Sequence, residues 1–411
     1  MAATASSMIS GDTPAPPGIT ATSDGLRVEA PDPLASIRTL APIIEAGAER
    51  NEQNVSLSSG VVDALHEHSL FLLLSPACLG GFEAPVRTAY EVIEEAARAD
   101  GATGWSFMAG AIYLAAAGAF LSDEGAEAVF ADPHAVPAGQ VAPLGTATAA
   151  EGGWRVEGRF GFASGASHAN WFYGGFREQR DGETVLADNG LPSVIVGVIP
   201  AARIEPLGNW DVIGLIGTGS IDYRVPPQTL PDAFAFPLFG SEPRRGHPRF
   251  RMGLAGLTCI GHCAFATGVA RRALDELAHL ALSKRRLGRS NLIDDALFQS
   301  HYAKAEGQIA AARAFSLSAI EALEAAAVAG AITPQVRAMA RLATTHTAEA
   351  ALEVAGAAFR FSGSTGLRNG SALQRCYRDL SAGEQHVFTD FNTYRDAGRL
   401  LLGVGPETLL I

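Results

Sequence analysis

Residues 160–176 read FGFASGASHANWFYGGF, and the folding of this stretch decides how the rest of the chain is organised. Aromatic and small residues surround Ser164, Gly165 and His168, a mixture suited to strand and turn rather than helix. The same mixture would suit a flat conjugated ligand, because rings stack while Ser164 and main-chain amides bond to polar edges. A glycine-bent hairpin with core aromatics has an identical composition. From the residues alone both readings stand.

Working outward, residues 136–240 carry short β-branched and aromatic runs such as PSVIVGVIP and GTGSIDYRVP between Gly, Pro and Asp turns. They predict a small central β-domain. Before it, residues 33–135 repeat apolar side chains every three or four positions, as in SSGVVDALHEHSLFLLL, which predicts an N-terminal α-helical domain. Ser59 or Gly60, and Ser122 or Asp123, are its expected helix N-caps. After it, residues 241–411 turn helical again, and the Ala-rich stretches 262–283, 297–329 and 334–359 are long enough for a C-terminal four-helix bundle. Residues 1–32, rich in Ala, Ser, Thr, Pro and Gly, are expected to form a disordered tail. The fold class is α+β, mostly α.

With 411 residues, 47% of them hydrophobic, the chain buries a large core. A net charge of −12 argues against a nucleic-acid partner, and only Lys284-Arg285-Arg286 with Arg289 is locally basic. Cys259 and Cys263 lack the second pair that a zinc site needs, so these thiols, with Cys78 and Cys376, read as reduced packing residues. No export signal opens the chain, and no apolar run reaches about 18 residues without Gly, Pro or charge. A cytoplasmic chain with no membrane span and no bound metal is the expectation.

The order of the segments LFLLLSPACLGGFE, ADGATGWSF, AGQVAPLGTATAAEGGWRVEGRFGFASGASHANW, GLIGTGSIDYRVP and LQRCYRDLSAGEQH resembles the acyl-CoA dehydrogenase fold. It resembles more closely the branch of two-component flavin-dependent monooxygenases, over residues 60–405. The resemblance implies that Phe162, Ser164, Gly165 and Trp171 line a flavin, with the Ser164 hydroxyl beside the N5 edge. It places Gln140 and Val141 of GQVAPLG against the pyrimidine side. It also places Lys284 and Arg285 where a neighbouring subunit reaches the flavin phosphates, although a solvated helix end would look the same.

Residues 376–390, CYRDLSAGEQHVFTD, separate the two branches. Many of the dehydrogenases carry a carboxylate base eight residues after the Arg-Asp pair; that position is Val387, and valine cannot take a proton. The monooxygenases carry a histidine one residue earlier, which is His386. If the helix runs on, Arg375, Asp379, Ala382, His386 and Asp390 share one face, and Asp390 is expected to hold one imidazole nitrogen. A C-terminal helix with a surface histidine remains the plain alternative.

The resemblance implies an oxygenase component that uses reduced flavin (FMNH2 or FADH2) and O2, through a C4a-hydroperoxide, to oxygenate an aromatic or heteroaromatic small molecule. A flavin reductase would be its partner and a homotetramer its assembly. Trp105, Tyr113, Trp210 and His386 are the expected pocket, with His386 and Ser164 catalytic. Several relatives have a second histidine in the helix after Gly104-Trp105, where this chain offers only Tyr113. An acyl-CoA dehydrogenase-type flavoenzyme and a non-catalytic helical oligomer are the rival readings.

Overall fold

The computed structural model describes residues 32–187, 190–285 and 290–404; residues 1–31 of the expected N-terminal tail, and Arg286 and Arg289 of the basic run, lie outside them. Helices α1 (Pro33–Asn54), α2 (Ser59–Glu67), α3 (Val86–Ala99), α4 (Gly101–Phe120) and α5 (Asp123–Phe130) come first. Strands β1 (Pro137–Ala150), β2 (Gly153–Ala163), β3 (Trp171–Arg180), β4 (Glu183–Thr184), β5 (Val194–Pro200), β6 (Glu205–Pro206), β7 (Ile221–Pro231) and β8 (Ala235–Pro237) follow. The chain then returns to helix in α6 (Gly253–Ser283), α7 (Ala296–Val328), α8 (Pro334–Ser362), α9 (Ala372–Gly383) and α10 (Asn392–Leu401).

In α3 the buried residues Val86, Ala89, Tyr90, Ile93 and Ala97 recur at three- and four-residue steps, so the helix turns one stripe inward. In α4 burial runs all round. That helix is long and apolar enough to cross a membrane, but 89% of its apolar window is buried within the fold. It is the central core helix. Asp100 starts it, accepting from Thr103 N at 3.0 Å and Thr103 Oγ1 at 2.7 Å. Ser122 caps α5 as expected, accepting from Gly125 N at 3.1 Å. At α2 the N-cap is Ser58, one residue before the expected Ser59.

The strands form one sheet in the order β6-β7-β2-β1-β3-β5-β8, with β4 paired to the end of β3. Among the described strands only β1 and β3 pair in parallel. The sheet is buried on both faces, which the alternation of β5 makes plain. Val196 and Val198 join Tyr173 and Phe236 in the core shared with α3, α4 and α6. Ile195 and Ile199 join Phe160, Phe172, Tyr223 and Leu230 in a second cluster. The helices and the sheet therefore share one core.

Two irregularities shape the sheet near residue 162. The β1–β3 register slips between Gln140 and Pro143 and again before Gly145. Between Phe160 and Ala163, β2 spends one residue more than β7 does between Tyr223 and Ile221. The extra residue makes a bulge in which Phe162 takes φ +59°, a backbone region costly for an aromatic residue. Its ring is 65% exposed, whereas Phe160 and Ala163 are buried.

Candidate active site

Three elements converge on Trp105 of α4. From the turn after β2, the Ser164 hydroxyl accepts from Trp105 Nε1 at 3.0 Å. From α6 come His262 and Phe265, with ring centres 5.0 and 4.9 Å from the indole, both edge to face. From the segment after α9 comes His386, whose ring centre is 5.9 Å from the indole and 4.2 Å from His262. The packing is close enough that any side chain on Gly383 would press on Phe265, at 2.8 Å, and on Trp105, at 3.1 Å.

His386 does not lie on the helical face that the four-residue spacing suggested. Helix α9 stops at Gly383, and His386 instead opens a single 3-10 turn, Val387–Thr389. Its Nδ1 accepts from Phe388 N at 3.2 Å. Asp390 does not hold the imidazole; its Oδ1 accepts from Asn392 N at 2.7 Å and from Asn392 Nδ2 at 2.9 Å. Because Nδ1 accepts, the neutral ring carries its proton on Nε2. Removal from water, and then the charge of Arg341, push the His386 pKa down to about 4. The pKa of His262, 5% exposed, is held well below its ordinary value by burial, by His386 and by Arg341. Both rings are neutral near pH 7.

Arg341 is buried, with its guanidinium 4.0 Å from the centre of the Phe388 ring. Its Nη2 donates to Val387 O at 3.2 Å and to Thr393 Oγ1 at 3.3 Å, which fixes the turn that carries His386. On the other flank, Asp379 ties α9 to the loop before β7, accepting from Leu215 N at 2.6 Å. Burial and the nearby Asp100 carboxylate raise the Asp379 pKa to about 7. The approach is tight: a methyl on Gly101 would stand 2.7 Å from Asp379 Oδ2.

The structure gathers some of the sequence-predicted residues around Trp105 and gives the others the contacts that follow. Trp105, Ser164 and His386 converge. The Tyr113 hydroxyl donates to Gly139 O at 3.2 Å and its ring stacks on Tyr173, so it braces β1. Trp210 meets Phe162 edge to face at 6.0 Å and donates from Nε1 to Leu215 O at 3.1 Å. Gln140 ties β1 to β2, its Oε1 accepting from Gly161 N at 3.3 Å, and Val141 packs against the main core. Trp171 stacks on Phe234 at 5.7 Å. Gly165, at φ +78°, makes the turn under which His168 packs; both ring nitrogens of His168 are shielded and have no partner among the described residues. Lys284 donates to Ser362 O at the end of α8, and Arg285 is exposed.

One residue escaped the sequence reading. His262 lies in GHCAF between two cysteines taken as packing thiols, in a helix whose nearest other polar side chains are Thr258 and Thr267. The signal was a lone imidazole on a stripe where every neighbour is apolar or small. It places a second imidazole against His386.

A flavin fits the residues present. Phe162 offers an exposed ring held out by backbone strain, and the adjoining bulge of β1 leaves Gln140, Val141 and Ala142 half-exposed. Ser164, two residues further along the chain, supplies a hydroxyl. When bound, reduced flavin activates O2 so that one oxygen atom is inserted into an organic substrate.

Residues 260–391 match the family model "acyl-CoA dehydrogenase, C-terminal domain". The chain is 34% identical over 377 residues to an indole-3-acetate monooxygenase of Pseudomonas putida, covering 91% of this chain and 93% of that one. It is 26% identical over 374 residues to the flavin-dependent monooxygenase oxygenase subunit HsaA of Mycobacterium tuberculosis, covering 87% and 91%. The crystal structure of the HsaA monooxygenase from M. tuberculosis superposes with a TM-score of 0.85 at 25% identity, over 92% of this chain and 99% of that one. With Val387 where many of the dehydrogenases keep their carboxylate and His386 one residue before it, the chain belongs to the flavin-dependent monooxygenases built on the acyl-CoA dehydrogenase fold.

Proposed function

We propose that this chain is the oxygenase component that takes reduced flavin from a separate reductase and oxygenates an indole-type aromatic substrate beside the cluster of Trp105, His262 and His386. The observation that carries the reading is the convergence of two neutral imidazoles on the indole of Trp105, whose Nε1 donates to the hydroxyl of Ser164. The P. putida relative, named for indole-3-acetate, supports the substrate class.

In this reading the chain's own residues bind, orient and exclude water. Trp105, Phe265 and Phe388 form the apolar wall that shields the reacting centre. His386 acts as a donor: its Nε2–H orients a substrate oxygen, or steadies negative charge that develops there, and with a pKa near 4 it is a poor base at pH 7. Ser164, oriented by Trp105, bonds to the flavin edge. Assembly as a homotetramer through the C-terminal helices belongs to the same reading, and the exposed Leu282, Leu297 and Leu367 support it.

The test mixes the protein with photoreduced FMN or FAD, O2, and in separate runs indole, indole-3-acetate and 4-hydroxyphenylacetate. Product formed per flavin oxidised is counted against hydrogen peroxide. Product from an indole at a coupling above that for the phenol supports the reading. Stoichiometric peroxide with every substrate and both flavins would refute it.

A further inference from the structure

A line of hydroxyls runs from the loop before β7 to Ser164. Thr218 Oγ1 donates to Leu215 O at 2.7 Å, Thr218 Oγ1 and Ser220 Oγ are 2.6 Å apart, and Ser220 Oγ and Ser164 Oγ are 2.8 Å apart. At the far end, Trp105 Nε1 lies 3.0 Å from Ser164 Oγ. Each of these oxygen–oxygen contacts needs one proton between its atoms. Leu215 O has none to give, so the protons come from Thr218, Ser220 and Ser164, one for each contact.

Only one arrangement fills every contact. Thr218 donates to Leu215 O, Ser220 donates to Thr218, and Ser164 donates to Ser220. Any other arrangement sets two bare oxygens face to face where Thr218 is 0%, Ser220 2% and Ser164 9% exposed, so water cannot intervene cheaply. Trp105 adds no ambiguity, because an indole N–H only donates. The carbonyl end is itself pinned, since Leu215 N donates to Asp379 and Trp210 Nε1 donates to Leu215 O. Ser164 therefore gives its proton to Ser220, accepts from Trp105, and has one lone pair left. It presents an acceptor and no donor.

We infer that Thr218 and Ser220 are positioning residues that fix the hydrogen-bond polarity of Ser164 and so make the site select reduced over oxidised flavin. The inference rests on the placement of Ser164 beside the flavin N5 edge. Reduced flavin carries a hydrogen on N5 and donates to the free lone pair. Oxidised flavin has a bare N5, itself an acceptor, and meets a second acceptor. An oxygenase that must hold the reduced cofactor and release the oxidised one gains that discrimination from two hydroxyls that touch neither flavin nor substrate.

The test measures dissociation constants of the full chain for oxidised and photoreduced FMN and FAD without oxygen, in the wild type and in Ser220→Ala, Thr218→Val, Ser220→Thr and Ser164→Ala. In Ser220→Ala the Ser164 proton has lost its acceptor and can turn to a bare N5. In Thr218→Val the Ser220 proton turns to Ser164, with the same result. The expected outcome in both is a drop of about fivefold in the ratio of oxidised to reduced dissociation constants, the scale of one neutral hydrogen bond. That drop equals a fall of about 20 mV in the two-electron potential of the bound flavin. Ser220→Thr, which keeps the hydroxyl, retains the wild-type ratio. General damage to the fold would weaken both redox states together and leave the ratio unmoved. A change below threefold in both Ser220→Ala and Thr218→Val, with Ser164→Ala still altering flavin affinity, overturns the inference. If Ser164→Ala also changes neither constant, the placement of Ser164 beside the flavin is itself wrong and the inference falls with it.

Discussion

The imidazoles of His262 and His386 stand 4.2 Å apart, ring centre to ring centre, although one comes from the middle of α6 and the other from the turn after α9. Both are held neutral by burial and by the charge of Arg341. Two imidazolium ions at that separation, beside a buried guanidinium, would repel strongly. The pair can serve only while uncharged, which sets the pH range of the site.

With its pKa lowered to about 4, His386 gains a proton only as pH falls well below 6. Product per flavin oxidised is therefore expected to be flat from pH 6 to 9. Replacement by alanine lowers it at least tenfold, and His386→Asn, whose side-chain amide can donate, recovers part of the loss. A step in coupling near pH 6.5 that vanishes in His386→Ala would show that the imidazole titrates normally and that its assigned donor role is wrong.

Asp379 titrates in the opposite sense. Its folded pKa, about 7, lies above the ordinary value of 3.8, so the folded state holds this proton more tightly than the unfolded chain. The stability it contributes is full below about pH 4 and is lost as pH rises to 7. In Asp379→Asn that dependence disappears while Leu215 N keeps an acceptor. The stability gap between mutant and wild type should widen in the mutant's favour from pH 4.5 to 7.5, by on the order of 3 kcal/mol. Denaturant titration at the two pH values reads it, and a constant gap would contradict the raised pKa.

Phe162 holds an exposed ring at φ +59°, where glycine would be unstrained. Phe162→Gly is expected to raise stability by about 1 kcal/mol while weakening flavin binding, because relief of strain and loss of the ring act on different properties. Melting temperature and flavin affinity, measured together, check this. If both fall, the bulge depends on the ring for its own stability.

Helix packing makes two glycines respond oppositely to alanine. Gly268 on α6 lies against the backbone of Glu94 and Arg98 on α3, so an added methyl forces the helices apart. Gly307 on α7 faces open space. Gly268→Ala should cost about 3 kcal/mol or more, while Gly307→Ala should add up to about 1 kcal/mol through helix propensity alone. Thermal melts of the two proteins give the comparison directly.

Periodicity showed where helices and strands would lie, because the spacing of apolar residues is a local property of the chain. The count from Asp379 to His386 marked the residue that distinguishes this site from a carboxylate one, and counting needs no structure. That same count misled when it was carried on along a helix. Gly383, packed against Trp105 and Phe265, ends α9 three residues before His386, and Phe388 N rather than Asp390 meets the imidazole. Where that helix stops depends on what its last turn packs against. His262 was hidden for a related reason: nothing local separates a histidine facing another histidine from one that fills a core, and only the crossing of α6 with the segment after α9 makes the pair. The polarity of Ser164 lies furthest from the sequence. It follows from a proton count over Leu215, Thr218, Ser220 and Trp105, which the fold assembles from two separate segments.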